Sequence, residues 1–180
     1  MPDGTKVSRE SLGYAGRTCL LCDRPAFLCG RSRTHTAQEL VEREISLMRD
    51  FFVERFSVHI GLLMQKALFY EVNTTLKPGL VDLMHNGAHT DMDRYTFRDS
   101  AYALTSYFIE VTRQGMEFAL KEGKEEDLPE LFASIRPLGI AAETAMKQAT
   151  GGVNTHKGMI FSGGILCCAL GYDIVSRDAG

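Results

Sequence analysis

Between Leu40 and Val72 apolar residues return every three or four positions, through Val41, Ile45, Met48, Phe52, Phe56, Leu63 and Leu68. One glycine, Gly61, and no proline interrupt the run. That spacing has the helical period of 3.6, not the period of two that a strand requires. Just before it, Thr36 and Glu39 stand three residues apart, the spacing of a capping box. The pattern predicts one long helix from Thr36 to about Val72, or two joined near 57–61. A helix with an apolar stripe must bury it against other elements. No segment reads as a strand and no internal repeat is visible. The predicted class is therefore all-α, a multi-helix bundle.

The remaining helices follow from the same signals. Thr96, with Asp99 three residues on, predicts a second capped start, with apolar positions running from Ala103 to Leu120. Residues 128–149 form a third helical pattern, which Pro137 is expected to kink or divide. A fourth, rich in small residues, runs from about Gly158 to Leu170. Residues 1–18 read as a tail or linker. Residues 19–35 show no helical or strand period and read as a loop-rich arm holding three cysteines. The expected division is an arm over residues 1–35 and a helical domain over 36–180.

Composition narrows the function. Apolar residues make up 44% of the 180-residue chain, enough for a core, with 10 Phe and 8 Met to fill it. The net charge of −3 offers no sequence-wide basic field for nucleic acid. No apolar run approaches the roughly 20 residues that span a bilayer, and Met1–Glu10 lacks the apolar stretch of a signal peptide. These features predict a cytoplasmic protein with neither membrane nor nucleic acid as partner. In that compartment the five cysteines are expected to be reduced. Cys167 and Cys168, inside an Ala/Leu/Gly run, read as small core residues, and His59 as a core or interface histidine.

Three constellations can carry chemistry. The first follows the long helix: Glu71, Lys77, Asp82, His85, His89, Asp91 and Asp93, around the turn Lys77-Pro78-Gly79. Carboxylates there suit Mg²⁺, which bridges a few acids to substrate phosphates, while Lys77 and His89 suit the phosphates themselves. A solvated charged loop fits the same residues. The second is Gly151-Gly152-Val153-Asn154-Thr155-His156-Lys157-Gly158. Glycines opening a helix, with a lysine, match the logic of a phosphate cradle, although the Walker spacing is absent. A plain helix connection fits it too. The third is Cys19, Cys22, Cys29 and His35, whose C-x2-C pair and two further ligands suit a tetrahedral Zn²⁺ site. Free cysteines in a loop are the alternative.

Beyond chemistry lies resemblance. The run Tyr70-Glu71-Val72-Asn73-Thr74-Thr75-Leu76-Lys77-Pro78-Gly79-Leu80-Val81-Asp82, its continuation Asn86-Gly87-Ala88-His89-Thr90-Asp91-Met92, and Ala149 through Gly158 resemble signatures of the triphosphoribosyl-dephospho-CoA synthase family. Ile135-Arg136-Pro137-Leu138-Gly139 lies between them in the family's order. The similarity covers about 45–175. Upstream, Arg17-Thr18-Cys19-Leu20-Leu21-Cys22 and Cys29-Gly30-Arg31-Ser32-Arg33-Thr34-His35 resemble the C-terminal end of the phosphoribosyl-dephospho-CoA transferase that loads the acyl carrier subunit of citrate lyase. The chain thus looks like the junction of a fusion. It is expected to lack most of the transferase and the last third or more of the synthase.

The resemblance implies transfer of the triphosphoribosyl group of ATP to the 2′-hydroxyl of 3′-dephospho-CoA, with release of adenine, toward the citrate lyase prosthetic group. Glu71, Asp82 and Asp91 then hold Mg²⁺ or act as the base. Lys77, His89 and Lys157 bind phosphate. Gly151 and Gly152 cradle it, and Asn154 and His156 contact phosphate or sugar. The downstream partner is the acyl carrier subunit of citrate lyase. Two alternatives stand beside this. One is a helical binding or assembly module that holds nucleotide, dimerises with itself and does no chemistry. The other is the same reaction serving malonate decarboxylase. The enzyme reading expects Asp82 and Lys157 to share one cleft.

Overall fold

A computed structural model describes residues 7–177; the outer parts of the expected tail and of the chain's end, 1–6 and 178–180, lie outside the described residues. Five α-helices carry the chain: α1 (Ala26–Ser32), α2 (Ala37–Asn73), α3 (Arg94–Leu120), α4 (Leu128–Ala149) and α5 (Lys157–Arg177). Short 3₁₀ turns sit at Glu10–Leu12 and Glu125–Asp127. Among the described residues there is no strand beyond one isolated bridge between Thr18 and Pro25. The fold is all-α, as the periodicity requires.

The contacts separate into two compact units, Met1–Phe52 and Val53–Gly180. The sequence puts its boundary at residue 36, whereas the units part inside α2. In the first unit the arm is more ordered than its lack of period suggests. Cys19 donates its N–H to the Arg24 carbonyl (2.8 Å) and Ala26 donates to Arg17 (2.8 Å), which closes a small hairpin ahead of α1. Helix α2 begins as predicted. Glu39 N–H donates to Thr36 Oγ1 (3.1 Å), and Thr36 N–H donates back to Glu39 Oε2 (2.7 Å). It then runs unbroken through Gly61, so the single-helix alternative is the correct one.

In the second unit α3 is the central helix. Leu104, Phe108, Val111 and Met116 are fully buried, joined by Leu68 of α2, Ile135 and Met146 of α4, and Ile160 and Cys167 of α5. Helix α3 packs against α4 and, more extensively, against α5. The α3–α5 approach is set by two glycines facing opposite ways. A Cβ on Gly115 would strike the Cys168 carbonyl, and one on Gly171 would strike the Thr112 carbonyl. Helix backbones this close leave no room for a methyl group. Cys167 and Cys168 are buried in this seam, and burial pushes both thiols up to about 11.

Three sequence expectations need correction. Helix α3 starts at Arg94, not at Thr96. Its cap is Asp93, whose Oδ1 accepts the N–H groups of Tyr95 (2.9 Å) and Thr96 (2.8 Å), while Thr96 Oγ1 accepts from Asp93 N–H. Thr96 is thus the closing member of a box and not its opener. Helix α4 is one helix with Pro137 inside it, so the proline does not divide it; Leu131, Ile135, Ala142 and Met146 lie on its buried side. Helix α5 extends to Arg177, and by length and composition it is long and apolar enough to cross a membrane. Its apolar side is used inside the protein. Ile160, Gly163, Gly164, Cys167, Cys168 and Gly171 are buried, while Phe161, Ile165, Leu166 and Leu170 are exposed.

Candidate functional site

The second unit brings four helix ends to one residue, His156. It immediately precedes α5 and is 7% exposed. Its Nδ1 shares a 2.7 Å hydrogen bond with Ser100 Oγ of α3. Its ring meets the Phe97 ring edge-on at 5.0 Å, and its backbone N–H points at Met146 Sδ near the end of α4. Burial draws the imidazole down to about 4, opposed by the charge of Glu71 at the end of α2. His156 is therefore neutral at pH 7. Glu71 of the first signature segment is thus near enough for its charge to be felt at His156 of the second. His156, expected from the resemblance to contact phosphate or sugar, is buried in the packing between these helix ends.

Glu71 also anchors Lys77. The ammonium donates to Glu71 Oε1 (2.8 Å) and to the Glu71 carbonyl (2.7 Å). This places a cation over the carbonyl end of α2, where the helix dipole favours it.

Asp82 is 1% exposed, and its carboxylate is engaged by amides of its own loop. Oδ1 accepts the N–H groups of Met84 (2.8 Å) and His85 (3.0 Å), and Oδ2 accepts that of Lys77 (3.3 Å). Burial raises its pKa, but the three amides outweigh it and hold the carboxyl below the usual range. Gly87 N–H donates to His85 Nδ1 (3.1 Å). A neutral His85 therefore carries its proton on Nε2, 3.7 Å from Asp82 Oδ2. Asp82 is the buttress around which loop 74–93 folds. Of the loop's apolar residues Val81 is buried, whereas Leu80, Leu83 and Met84 are exposed. Asp91 is exposed, with His89 Nδ1 3.9 Å from its Oδ1.

The glycines of the second signature serve the end of α4. Gly151 adopts φ 65° and Gly152 φ 95°. Gly152 N–H donates to the Lys147 carbonyl (2.7 Å), the six-to-one bond of a Schellman stop. That amide is spent on the helix and is unavailable to an anion, so the cradle reading moves to the α5 entrance. There the amides of Lys157, Gly158 and Met159 have no intrahelical acceptor. Asn154 is exposed nearby. Thr155 Oγ1 is buried without a hydrogen-bond partner among the described residues.

Lys157 faces a different hollow. It lies 3.2 Å from Glu143 Oε1, and the Lys147 and Lys157 ammoniums hold the Glu143 carboxyl below its ordinary range. The cleft there, about 510 Å³, is lined by Tyr107, Arg136, Ile140, Glu143, Lys157 and Phe161 among others. Asp82 is not part of its lining. The sequence-based expectation that Asp82 and Lys157 share a cleft fails. The reason is that Asp82 turns inward to satisfy its loop's amides, while Lys157 is drawn to Glu143 on α4.

Two arginines escaped the sequence reading. Arg94 and Arg98 line a second hollow of about 390 Å³ with Asn73, Tyr95 and Tyr102. Their signal was present. Cations in the first turns of a helix oppose its dipole; here Arg98 is ion-paired with Asp99 (2.7 Å) and Arg94 lies over the Tyr95 ring (4.7 Å). Ser100, the His156 partner, carried no such signal.

In the first unit, Cys19, Cys22, Cys29 and His35 come together, their ligand atoms all within 4.8 Å of one another. Cys22 is drawn down to about 6 by its hydrogen bond with His35, then by Arg24, whereas burial pushes Cys29 up to about 11. Among the described residues this is the only such group of His, Cys, Asp or Glu. Glu71, Asp82 and Asp91 do not form one.

Comparison with known proteins agrees with this division. The profile of the ATP:dephospho-CoA triphosphoribosyl transferase family matches residues 57–179. That of apo-citrate lyase phosphoribosyl-dephospho-CoA transferase matches residues 1–51, ahead of it and beyond the 1–35 expected from the sequence. Similar curated proteins include Protein CitXG of Haemophilus influenzae, 41% identical over 93% of this chain and 34% of that protein. Protein CitXG of Leuconostoc mesenteroides subsp. cremoris is 40% identical over 93% of this chain and 36% of its own length. The 2-(5''-triphosphoribosyl)-3'-dephosphocoenzyme-A synthase of Haemophilus ducreyi is 40% identical over 84% of this chain and 44% of its length. The chain spans between a third and a half of the length of these relatives. No solved structure matches it.

Proposed function

Since the chain belongs to the ATP:dephospho-CoA triphosphoribosyl transferase family, we propose that it contributes the first helices of an enzyme transferring the triphosphoribosyl group of ATP to the 2′-hydroxyl of 3′-dephospho-CoA. In that reaction the hydroxyl oxygen bonds to C1′ of the ATP ribose as the bond to adenine breaks. The hydroxyl proton goes to a base, and the departing adenine takes one up. The observation that carries the reading is the match of the family profile across residues 57–179, which takes in both signature segments.

The residues divide by exposure. Glu71 is an open carboxylate beside Lys77, which suits it to accept the hydroxyl proton or to face the positive charge that grows at C1′. Lys77, Arg94 and Arg98 suit the triphosphate. His89 and Asn154 are placed to assist. Thr155 Oγ1 has hydrogen-bonding capacity free for a ribose hydroxyl or a phosphate. Asp82, His156 and Ser100 position these groups. Glu71 and Asp91 are the exposed acids that fit Mg²⁺, which takes one or two carboxylates plus phosphates; bound there, it would neutralise triphosphate charge. Asp82, enclosed by amides, does not fit that role.

We read residues 1–51 as the trailing part of the transferase, which favours citrate lyase, with its acyl carrier subunit downstream, over malonate decarboxylase. Nucleotide substrates favour a cytoplasmic setting. A second reading has its own support. Phe51, Leu62 and Leu63 of α2 are exposed, which fits a module that binds nucleotide but needs further helices, or a second copy, to complete the site.

The test is incubation with ATP, Mg²⁺ and dephospho-CoA, measuring adenine by chromatography, for this chain and for a longer one of relatives' length. Adenine release that Glu71→Gln reduces at least about 100-fold supports the catalytic assignment. Release unchanged by Glu71→Gln removes Glu71 from the chemistry. ATP binding without release by the short chain favours the second reading.

A further inference from the structure

We propose that Cys19, Cys22, Cys29 and His35 hold one zinc ion in a closed tetrahedral site that cross-braces the N-terminal unit. This rests on that unit alone and is independent of the synthase reading. The four ligand atoms lie within 4.8 Å of one another. Cys22 Sγ sits 3.5 Å from Cys29 Sγ and 3.4 Å from His35 Nε2. With zinc–sulfur bonds near 2.3 Å and zinc–nitrogen bonds near 2.0 Å, the edges of a tetrahedral site are about 3.5–3.8 Å. The Cys22–Cys29 and Cys22–His35 separations are close to those edges, and the remaining ones lie within 4.8 Å, so a contraction of about 1 Å or less admits the ion. Three thiolates with one imidazole suit zinc over the harder cations that prefer oxygen.

The backbone supports the same assignment. Cys19 and Cys22 sit on the hairpin closed by the Arg17–Ala26 and Arg24–Cys19 bonds. Leu21 N–H points at Cys19 Sγ (3.5 Å), which helps to hold negative charge on sulfur. Arg24 lies against Cys22 and offsets the single net negative charge of a zinc ion with three thiolates. Cys29 comes from α1, and His35 immediately precedes the Thr36 cap of α2. One ion would therefore tie three separate elements together.

The unit has reason to need it. Among its described residues Cys29 is the one that is buried. Helix α1 has seven residues, fewer than the roughly 12 at which an isolated helix becomes marginally stable. A segment without an apolar core requires a staple.

The full chain, purified under reducing conditions without chelator, should contain about one zinc per molecule by elemental analysis. Cobalt(II) in its place should give the intense visible absorption of a tetrahedral site with thiolate charge-transfer bands. Cys22→Ser and Cys29→Ser should lose the metal, whereas Cys168→Ala should keep it. Should those serine variants fail to fold, chelation of the unaltered chain gives the readout: amide exchange should rise across 17–40 and stay unchanged across 104–116. A chain free of metal whose cobalt form is pale and six-coordinate overturns the proposal. So does full zinc retention in both serine variants, or a Cys22–Cys29 disulfide in protein taken from a reducing cytoplasm.

Discussion

In Val53–Gly180, side chains such as Leu104, Phe108, Val111 and Met146 have no exposed surface, and two helix backbones meet over Gly115 and Gly171. In Met1–Phe52, a single described residue is buried, and it is a cysteine facing two other cysteines and a histidine. The first arrangement is held by area removed from water, at about 25 cal/mol per Å². The second has almost no such area and depends on caps, a small hairpin and the chemistry of sulfur and imidazole. A long helix with an exact cap can therefore leave one unit for the other without either being held the same way.

The sharpest way to break this contrast is Phe108→Ala. It should destabilise the second unit by about 3–5 kcal/mol, read as a lower denaturant midpoint, with faster amide exchange across 104–116. Exchange across 17–35 should not change. Acceleration in both regions would show that the chain unfolds as one body and that the contrast is superficial.

Acid should act on the second unit through His156. His156 is drawn from 6.5 to about 4, so below pH 6.5 the unfolded chain binds a proton that the folded one refuses. Its contribution is complete above pH 6.5 and declines as the pH falls toward 4, by roughly 3 kcal/mol at most. The depressed acids Asp82, Asp93 and Glu143 act in the same direction only at lower pH. Denaturant midpoints measured between pH 7 and 4.5 should slope, and His156→Gln should flatten the slope. An equal slope in the variant would place the titration elsewhere.

Smaller effects separate the two caps. Asp93→Ala, which leaves Tyr95 and Thr96 amides without their acceptor, should cost about 1–2 kcal/mol. Thr36→Ala should cost about 0.5–1 kcal/mol and should appear as local fraying in exchange at 37–41, with the global midpoint little changed. A larger global effect from Thr36→Ala than from Asp93→Ala would reverse the ranking of the two units.

Much of this was legible beforehand, for reasons that differ by residue. Thr36 and Glu39 announce α2 because both partners of that cap are local. Asp93 and Thr96 were harder, since Thr96 with Asp99 mimics the same box, and only the side-chain geometry decides which acid–hydroxyl pair closes. Cys19, Cys22, Cys29 and His35 were legible as a set because ligand chemistry depends on residue type. Asp82 and Lys157 were misjudged as neighbours. A carboxylate's address depends on where its nearest amides and cations end up, and for Asp82 those were in its own loop.

What the sequence determined by itself was the local chemistry: helical period, caps, the glycine stop after α4, and two signature segments with acids, amides and a lysine in fixed order. Each of these depends on residues within about a turn or a loop of one another. Only the tertiary structure decided that Glu71 acts on His156, that Ser100 holds that ring, that Arg94 and Arg98 open onto a hollow, and that Lys157 belongs to another cleft. Those outcomes depend on how helix ends far apart in the chain are aimed once α3 is buried, and no local pattern encodes that direction.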